Sequence, residues 1–531
     1  MPLAPRITQR RPHMRVPLIT AKKTRTEMNT RVPGHVVPRL SADLLHRLPD
    51  TVARPGFAPR SLTTGILHLG CGSFHRAHQA LATQHAMNQT GDSRWGIAAV
   101  AINRPTIVDA LRAQDNLYTT LLHEDGQARV EVVGALTETV HAPSDLIGVP
   151  NRIADPRVKI VTLTVTASGY CVSPVTGRLE TDCPGVRHDV RHPTRPITPI
   201  GMLTQGLELV RRRGSTPPVV ISCDNLCANG STLRRAVIDF ALLRDDHLAE
   251  WIARHVQFPN SVVDRIVQPT APTDAAIARN WLGGIDDHAP VSAEPFMTWT
   301  IEDFEGERPQ WELGGAQFVA NVKDYELAKL RLLNGTHMLL AYLGGVAGHR
   351  TIAEATADPA LAALARQFML DEQGPTLALP GPELRRTVDD LMRRFRNPAI
   401  AQDMTRIGRN GSDKMIPRVV DALRDNIAAG RPTPGATLLI AAWIRWFTAS
   451  HHPDAVMELI DPREDSLTEL VDADPHRCAQ AFLQRTDIFG TLPEAQRVQR
   501  QVGDALADLT RDGVDAAVRR RLAPEWEGSN R

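Results

Sequence analysis

From about residue 65 onward, short β-branched and apolar runs alternate with amphipathic stretches, and near residue 358 that alternation stops. The runs 66–69, 96–102, 159–165 and 218–222 are bounded by Gly, Pro or polar residues, the mark of strands buried on both faces. Helical patterns at 77–87, 106–113 and 201–213 lie between them. Strand and helix in turn predict an α/β fold with a parallel sheet. From 358 the periodicity is helical only, at 359–368, 383–395, 417–429, 435–447 and 475–484, which predicts a second, mostly α-helical domain. A chain of 531 residues is in any case too long for one ordinary core.

Charge and cysteine content narrow the functional classes. Lys plus Arg total 61 against 60 Asp plus Glu, a net charge of +1, so nothing favours nucleic acid or an anionic membrane surface as a partner. Cys71, Cys171, Cys183, Cys223, Cys227 and Cys478 are scattered, with neither a disulfide framework nor zinc-ligand spacing, which favours a reducing, cytoplasmic setting. The longest apolar run, near 438–444, is far shorter than a bilayer span requires. Residues 1 to about 35 are basic and contain Glu27 as their only acid; the stretch 1–58 is expected to be a disordered extension, with domains at 59–320 and 321–531.

The stretch 324–343 is the most informative helix. Leu327, Leu330, Leu333, Leu339, Leu340 and Leu343 recur with helical spacing and predict burial. Within it Lys329, Asn334 and His337 fall at roughly 0°, 140° and 80° around an ideal axis, so all three can face one cavity, with Glu326 one turn before Lys329. Ionisable groups on an apolar helix are costly unless paired or used.

Further chemistry follows the predicted strands. After the first comes L-H-L-G-C-G-S-F-H-R-A-H (67–78). Gly70 and Gly72 allow a tight turn and close approach of a pyrophosphate to the next helix, with Ser73, Phe74 and Arg76 beside it; His75 stands where a dinucleotide fingerprint has its third glycine. A bare G-x-G also serves an ordinary strand–helix turn. The second strand ends in Asn103 and Arg104, without the acid that usually binds the adenosine ribose. Asn103 can bond a ribose hydroxyl and Arg104 can pair with a 2′-phosphate or simply face solvent, so NAD and NADP both stay open, NAD being preferred. Asp224 and Asn225 follow a third strand, where they either meet a ligand or cap the next helix. Asp264 and Arg265 lie inside an apolar run, where an internal Asp–Arg pair is the first expectation.

Taken together, G-C-G-S-F-H-R-A-H (70–78), T-A-S-G-Y-C (166–171), S-C-D-N-L-C-A-N-G (222–230), F-P-N-S-V-V-D-R-I (258–266) and K-L-R-L-L-N-G-T-H (329–337) resemble the mannitol dehydrogenase family, in its order and from about residue 60 to the end. The resemblance implies a Rossmann-type doubly wound domain followed by a helical domain, a metal-free reaction, and oxidation of a secondary alcohol of a polyol or sugar acid. It implies Lys329 as general base, Asn225 and Asn334 as amides that polarise the reacting oxygen, and His337 as substrate holder. Asp264 then lies near the lysine, Glu326 on the proton route, and Arg406 and Lys414, in R-I-G-R-N-G-S-D-K (406–414), grip hydroxyls. Two departures are Ala167, where many members have Glu, and the missing acidic pair near Asn103 and Arg104.

The expected reaction is mannitol to fructose. The rival, mannonate to fructuronate, is suggested by L-R-A-Q-D-N-L-Y-T (111–119) and M-L-D-E-Q-G-P-T-L (369–377), with Arg409 as a possible carboxylate partner. A catalytically silent dinucleotide-binding sensor is the reading from another class; the joint presence of Lys329, Asn334, His337, Asn225 and Asp264 argues against it.

Overall fold

Apolar runs without a polar face are stable only between two covering layers, and this is how the chain uses them. In the computed structural model, which describes residues 37–124, 127–173, 176–400, 402–449, 458 and 460–522, the strands are β1 (Thr64–Leu69), β2 (Gly96–Ala101), β3 (Tyr118–Glu124), β4 (Gln127–Val133), β5 (Leu136–His141), β6 (Ile160–Leu163), β7 (Val219–Ser222), β8 (Ser261–Asp264), β9 (Val291–Ala293), β10 (Thr298–Glu302) and β11 (Ala316–Val319). Five of them pair in parallel in the order β5-β2-β1-β6-β7. Alternate residues feed opposite cores: Ile66, Ile160 and Ile221 point into one apolar cluster, Leu67, Leu69, Val161, Leu163 and Val220 into the other. The strand order reverses between β1 and β6, and the crevice beyond their carboxyl ends is where such sheets bind ligands.

Two smaller sheets, β4-β3-β9 and β11-β10-β8, were not anticipated, because their short strands carry mixed polarity. Residues 38–58 also depart from expectation. Leu40, Leu48 and Val52 are buried with Leu121, Val130 and Val132, and Ala53 bridges to Glu131, so the expected extension does not reach residue 58. The basic stretch through residue 36 lies outside the described residues.

Beyond β11 the chain is helical. Thr336–Val346 packs on Pro434–Ala449, which in turn packs on Ala495–Arg519, around Trp443, Phe447 and Phe482. The described residues from Pro38 onward form one compact unit. Among them no helix is long and apolar enough to cross a membrane.

The informative helix is not one α-helix. Lys323–Ala328 and Thr336–Val346 are α-helical, but Lys329–Gly335 between them is a π-helix. The 3.6-residue geometry therefore fails where it was applied. A turn closed by i→i+5 bonds is wider, which brings positions five apart, Lys329 and Asn334, closer to alignment than 140°. Two further π-turns, Phe368–Gln373 and Ile416–Val420, converge on this one. They meet at Gly335, where a Cβ would lie 2.7 Å from the Arg418 carbonyl, and Gln373 Nε2 donates to that same carbonyl at 3.3 Å. Glycine is required here for close backbone approach.

Candidate active site

The β1 turn opens a cleft of about 910 Å³. Gly70, Gly72, Ser73 and Arg76 line it from the turn, Asn103 and Arg104 from beyond β2, and Thr164 and Thr166 from beyond β6. Gly70 has φ +109°, and a Cβ there would collide with the Thr164 carbonyl, so the turn is closed tightly by a residue that only glycine replaces without strain. The helix opens at Ser73, directly after Gly72, rather than near residue 77. Among the described residues no Asp or Glu lines the cleft, which suits a polyanionic dinucleotide. Phe74 is not part of the lining; its ring stacks on His78 at 4.9 Å. His75, in the place of the third fingerprint glycine, is buried and stacks on His68 at 3.4 Å.

The second cluster surrounds Lys329. Its Nζ donates to Asn225 Oδ1 at 2.7 Å and to the Val263 carbonyl at 2.7 Å, so the ends of β7 and β8 both converge on the π-turn. With Oδ1 taken, the Asn225 amide nitrogen is the group left to donate. Burial lowers the proton affinity of Lys329; Asp264 opposes this, Arg418 and Arg394 add to it, and Glu326 opposes it. The Glu326 carboxylate accepts from the Ala228 N–H at 2.8 Å, and burial raises its pKa. Burial pushes the His337 imidazole down to about 3, with Arg394 adding to the effect, so it is neutral at ordinary pH. Asn334 Nδ2 and His337 Nε2 are buried without a hydrogen-bond partner among the described residues, whereas buried polar atoms are ordinarily paired. Both are groups that a substrate's oxygens would satisfy.

Asp264 does not pair with Arg265. Its carboxylate takes a two-pronged contact from Arg394, at 2.7 and 3.1 Å, while Arg265 donates to the Glu294 and Ala77 carbonyls. Arg394 also binds Glu294, at 2.8 and 3.0 Å, and lies over the Phe296 ring at 3.9 Å. Burial raises the Asp264 pKa, but the Arg394 charge and hydrogen bonds outweigh it, and the carboxyl is held below its ordinary value. Asp224 acts neither as ligand nor as helix cap: it accepts from the Val165 and Thr166 N–H groups and the Tyr170 hydroxyl, fixing the turn after β6. That turn contains Thr166 at φ +64°, a strained setting for a β-branched residue.

The sequence reading missed Arg394, Glu294 and Arg418. A signal existed for the first: Arg394 stands three residues after Leu391 on the stripe Leu384, Val388, Leu391 and Phe395, a core position where a cation needs a partner. Of the expected hydroxyl grips, Lys414 is half-buried and pushed down to about 8 by burial, with Arg418 and Arg409 adding to it, and it donates to the Arg409 carbonyl. Arg406 is exposed, and its guanidinium makes no hydrogen bond or ion pair to a described residue. Among the described residues no group of three His, Cys, Asp or Glu is placed to hold a metal ion.

Residues 64–313 match the mannitol dehydrogenase Rossmann domain, and residues 321–510 match the mannitol dehydrogenase C-terminal domain. D-mannonate oxidoreductase of Escherichia coli (strain K12) is 38% identical over 77% of this chain and 85% of its own length. Mannitol 2-dehydrogenase of Cereibacter sphaeroides is 35% identical over 89% of this chain and 99% of its own. Among solved structures, the Pseudomonas fluorescens mannitol 2-dehydrogenase ternary complex with NAD and D-mannitol superposes with a TM-score of 0.79 at 34% identity, covering 91% of this chain and 99% of that one.

Proposed function

The chain belongs to the mannitol dehydrogenase family, and from that premise we propose that it interconverts mannitol and fructose with NAD, using Lys329 as the general base. The observation that carries this reading is the convergence on Lys329 of a neutralising environment and unpartnered donors. Gly70, Gly72, Ser73 and Arg76 would hold the pyrophosphate of the dinucleotide, whose nicotinamide would supply the hydride acceptor. A lysine near its ordinary pKa is almost wholly ammonium at neutral pH and a poor base; burial lowers the pKa of Lys329 against the opposing charge of Asp264, with Arg418 and Arg394 adding to the fall, which moves it toward use as a base. Lys329 Nζ takes the hydroxyl proton as the carbon–hydrogen bond breaks with its electron pair. Asn225 and Asn334 donate amide N–H groups to the oxygen as it becomes a carbonyl, adding no charge, and single donors in such a role are worth roughly 3 kcal/mol. His337, neutral and therefore able to donate one N–H, holds a neighbouring hydroxyl. Arg394 locks Asp264 so that its charge stays fixed beside the base rather than moving to the lysine.

Mannonate is the second substrate in view, and one observation favours it: Arg418 stands near the base with no acid to neutralise it. Absorbance of nicotinamide reduction over a panel of polyols and aldonates tests the function. Turnover of mannitol or mannonate with NAD is expected; silence across the panel with a folded, NAD-binding protein refutes the reading and returns the silent sensor.

A further inference from the structure

We infer that Cys171 and Cys183 form a modification site, a thiol pair that a peroxide oxidises to a disulfide, and that this bond weakens coenzyme binding in the adjoining cleft. The coupling to coenzyme rests on the dinucleotide reading of that cleft; the modification site does not.

The six cysteines are all free, and they are not equivalent. Cys71, Cys223 and Cys478 are buried, and Cys227 is exposed, its thiol unpaired to any described residue. Among the described residues Cys171 and Cys183 alone bring sulfur against sulfur, with their Sγ atoms 3.6 Å apart. Both are half-buried, which leaves the pair open to a small oxidant. A bond needs the sulfurs at about 2 Å, so the two must draw together as it forms.

Each sulfur is fastened to a wall of the cleft. Cys171 lines it and ends the turn T-A-S-G-Y-C (166–171), whose Thr166, Ser168 and Gly169 line it too. Cys183 stands at the head of the helix Pro184–Arg191. From that helix the Asp189 carboxylate accepts from the Ile197 and Thr198 N–H groups, at 2.7 and 2.9 Å, and from the Thr198 hydroxyl at 2.6 Å. Ile197, Thr198 and Pro199 also line the cleft. The pair therefore links the segments 166–171 and 197–199, which together close this side of the coenzyme site. The first of them is already strained. Thr166 at φ +64° and Cys171 at φ +51° both lie in the left-handed region, and Asp224 holds Val165, Thr166 and Tyr170 in place between them. Drawing Cys171 toward Cys183 acts on that strained wall and changes the space the coenzyme must fill.

With hydrogen peroxide the reaction balances. One thiol gives up its proton, its sulfur attacks a peroxide oxygen, and the O–O bond breaks to give a sulfenic acid and hydroxide, which the proton converts to water. The second thiol attacks the sulfenic sulfur, the S–S bond forms, and a second water leaves. Each sulfur loses one electron and the peroxide takes both. Burial, with the Cys183 contact adding to it, pushes the Cys171 thiol up to about 12, so the first attack falls to Cys183.

The test treats the full chain with hydrogen peroxide, blocks the remaining thiols with iodoacetamide and maps disulfides by peptide mass spectrometry. NADH affinity is measured by fluorescence before oxidation, after it, and after reduction with dithiothreitol. A Cys171–Cys183 bond is expected, with the NADH Kd raised about 10-fold, within the usual range of coupling between sites, and restored by dithiothreitol. By linkage, saturating NADH then favours the reduced pair by the same factor, a shift of about 30 mV for two electrons. Cys183→Ser, outside the cleft lining, keeps the reduced affinity and loses the response to peroxide, whereas Cys227→Ser keeps the response. The wild-type map and its reversal decide the question even where Cys183→Ser does not fold. Alkylation of both Cys171 and Cys183 after peroxide overturns the modification site, and so does a response that survives Cys183→Ser. A mapped bond with an unchanged NADH Kd overturns the coupling. A chain that forms the bond but binds NADH in neither state refutes the dinucleotide reading and upholds the modification site.

Discussion

The coenzyme cleft and the Lys329 cluster are built on opposite plans. The cleft takes five of its lining residues from Gly70 to Arg76, with backbone shape and a lack of acids among the described lining residues as its main instruments. The Lys329 cluster draws on Asn225, Asp264, Glu294, Lys329, His337, Arg394 and Arg418, far apart in the chain and brought together by packing, with side-chain contacts from Lys329 to Asn225 and from Arg394 to Asp264 and Glu294. A polyphosphate needs only donors and room, which one strand–turn–helix provides. Moving a proton requires a group whose pKa is displaced by its surroundings, and those surroundings come from several elements at once.

The sharpest separation of the two regions is Lys329→Ala. It should lower turnover by about 1000-fold, within the usual range for an acid–base group, while NADH affinity by fluorescence titration stays unchanged. A parallel loss of coenzyme binding would mean that the two regions are not separable. Gly70→Ala should do the reverse. Forcing a Cβ onto the Thr164 carbonyl at φ +109° costs on the order of 1–3 kcal/mol, read as a weakened coenzyme affinity with less effect on turnover at saturating coenzyme. The smallest effect is a displaced pH profile. Alcohol oxidation needs neutral Lys329, so the rate should rise with pH and level off below the ordinary lysine value of 10.5. Asp264 raises the Lys329 pKa; Asp264→Asn removes that charge and frees Arg394, so the rising limb should move to lower pH. A limb that stays in place would detach Asp264 from the base.

Legibility in the sequence follows the same division. The buried runs at 66–69, 96–102, 159–165 and 218–222 announced the sheet because strands covered on both faces have no polar positions to obscure them. The strands of mixed polarity, such as β4 and β10, were missed, as was the packing of residues 38–58, whose few apolar residues have no meaning until β3 and β4 lie beneath them. Lys329, Asn225 and Asn334 were legible as polar residues at strand ends and on an apolar helix. Arg418 was not, since an arginine near a proline reads as an exposed charge, and only tertiary structure brings it near Lys329 without an acid partner among the described residues.

By itself, then, the sequence determined the α/β-then-helical order, the glycine turn of the coenzyme cleft and the family to which the chain belongs, because each is written in local pattern or in motifs read in order. Tertiary structure alone decided that Asp264 pairs with Arg394 rather than Arg265, that Lys329 sits on a π-turn facing Asn225, and that Arg418 is left without an acid. Ion pairing and proton affinity depend on distance and burial, and neither is set until elements remote in the chain have packed together.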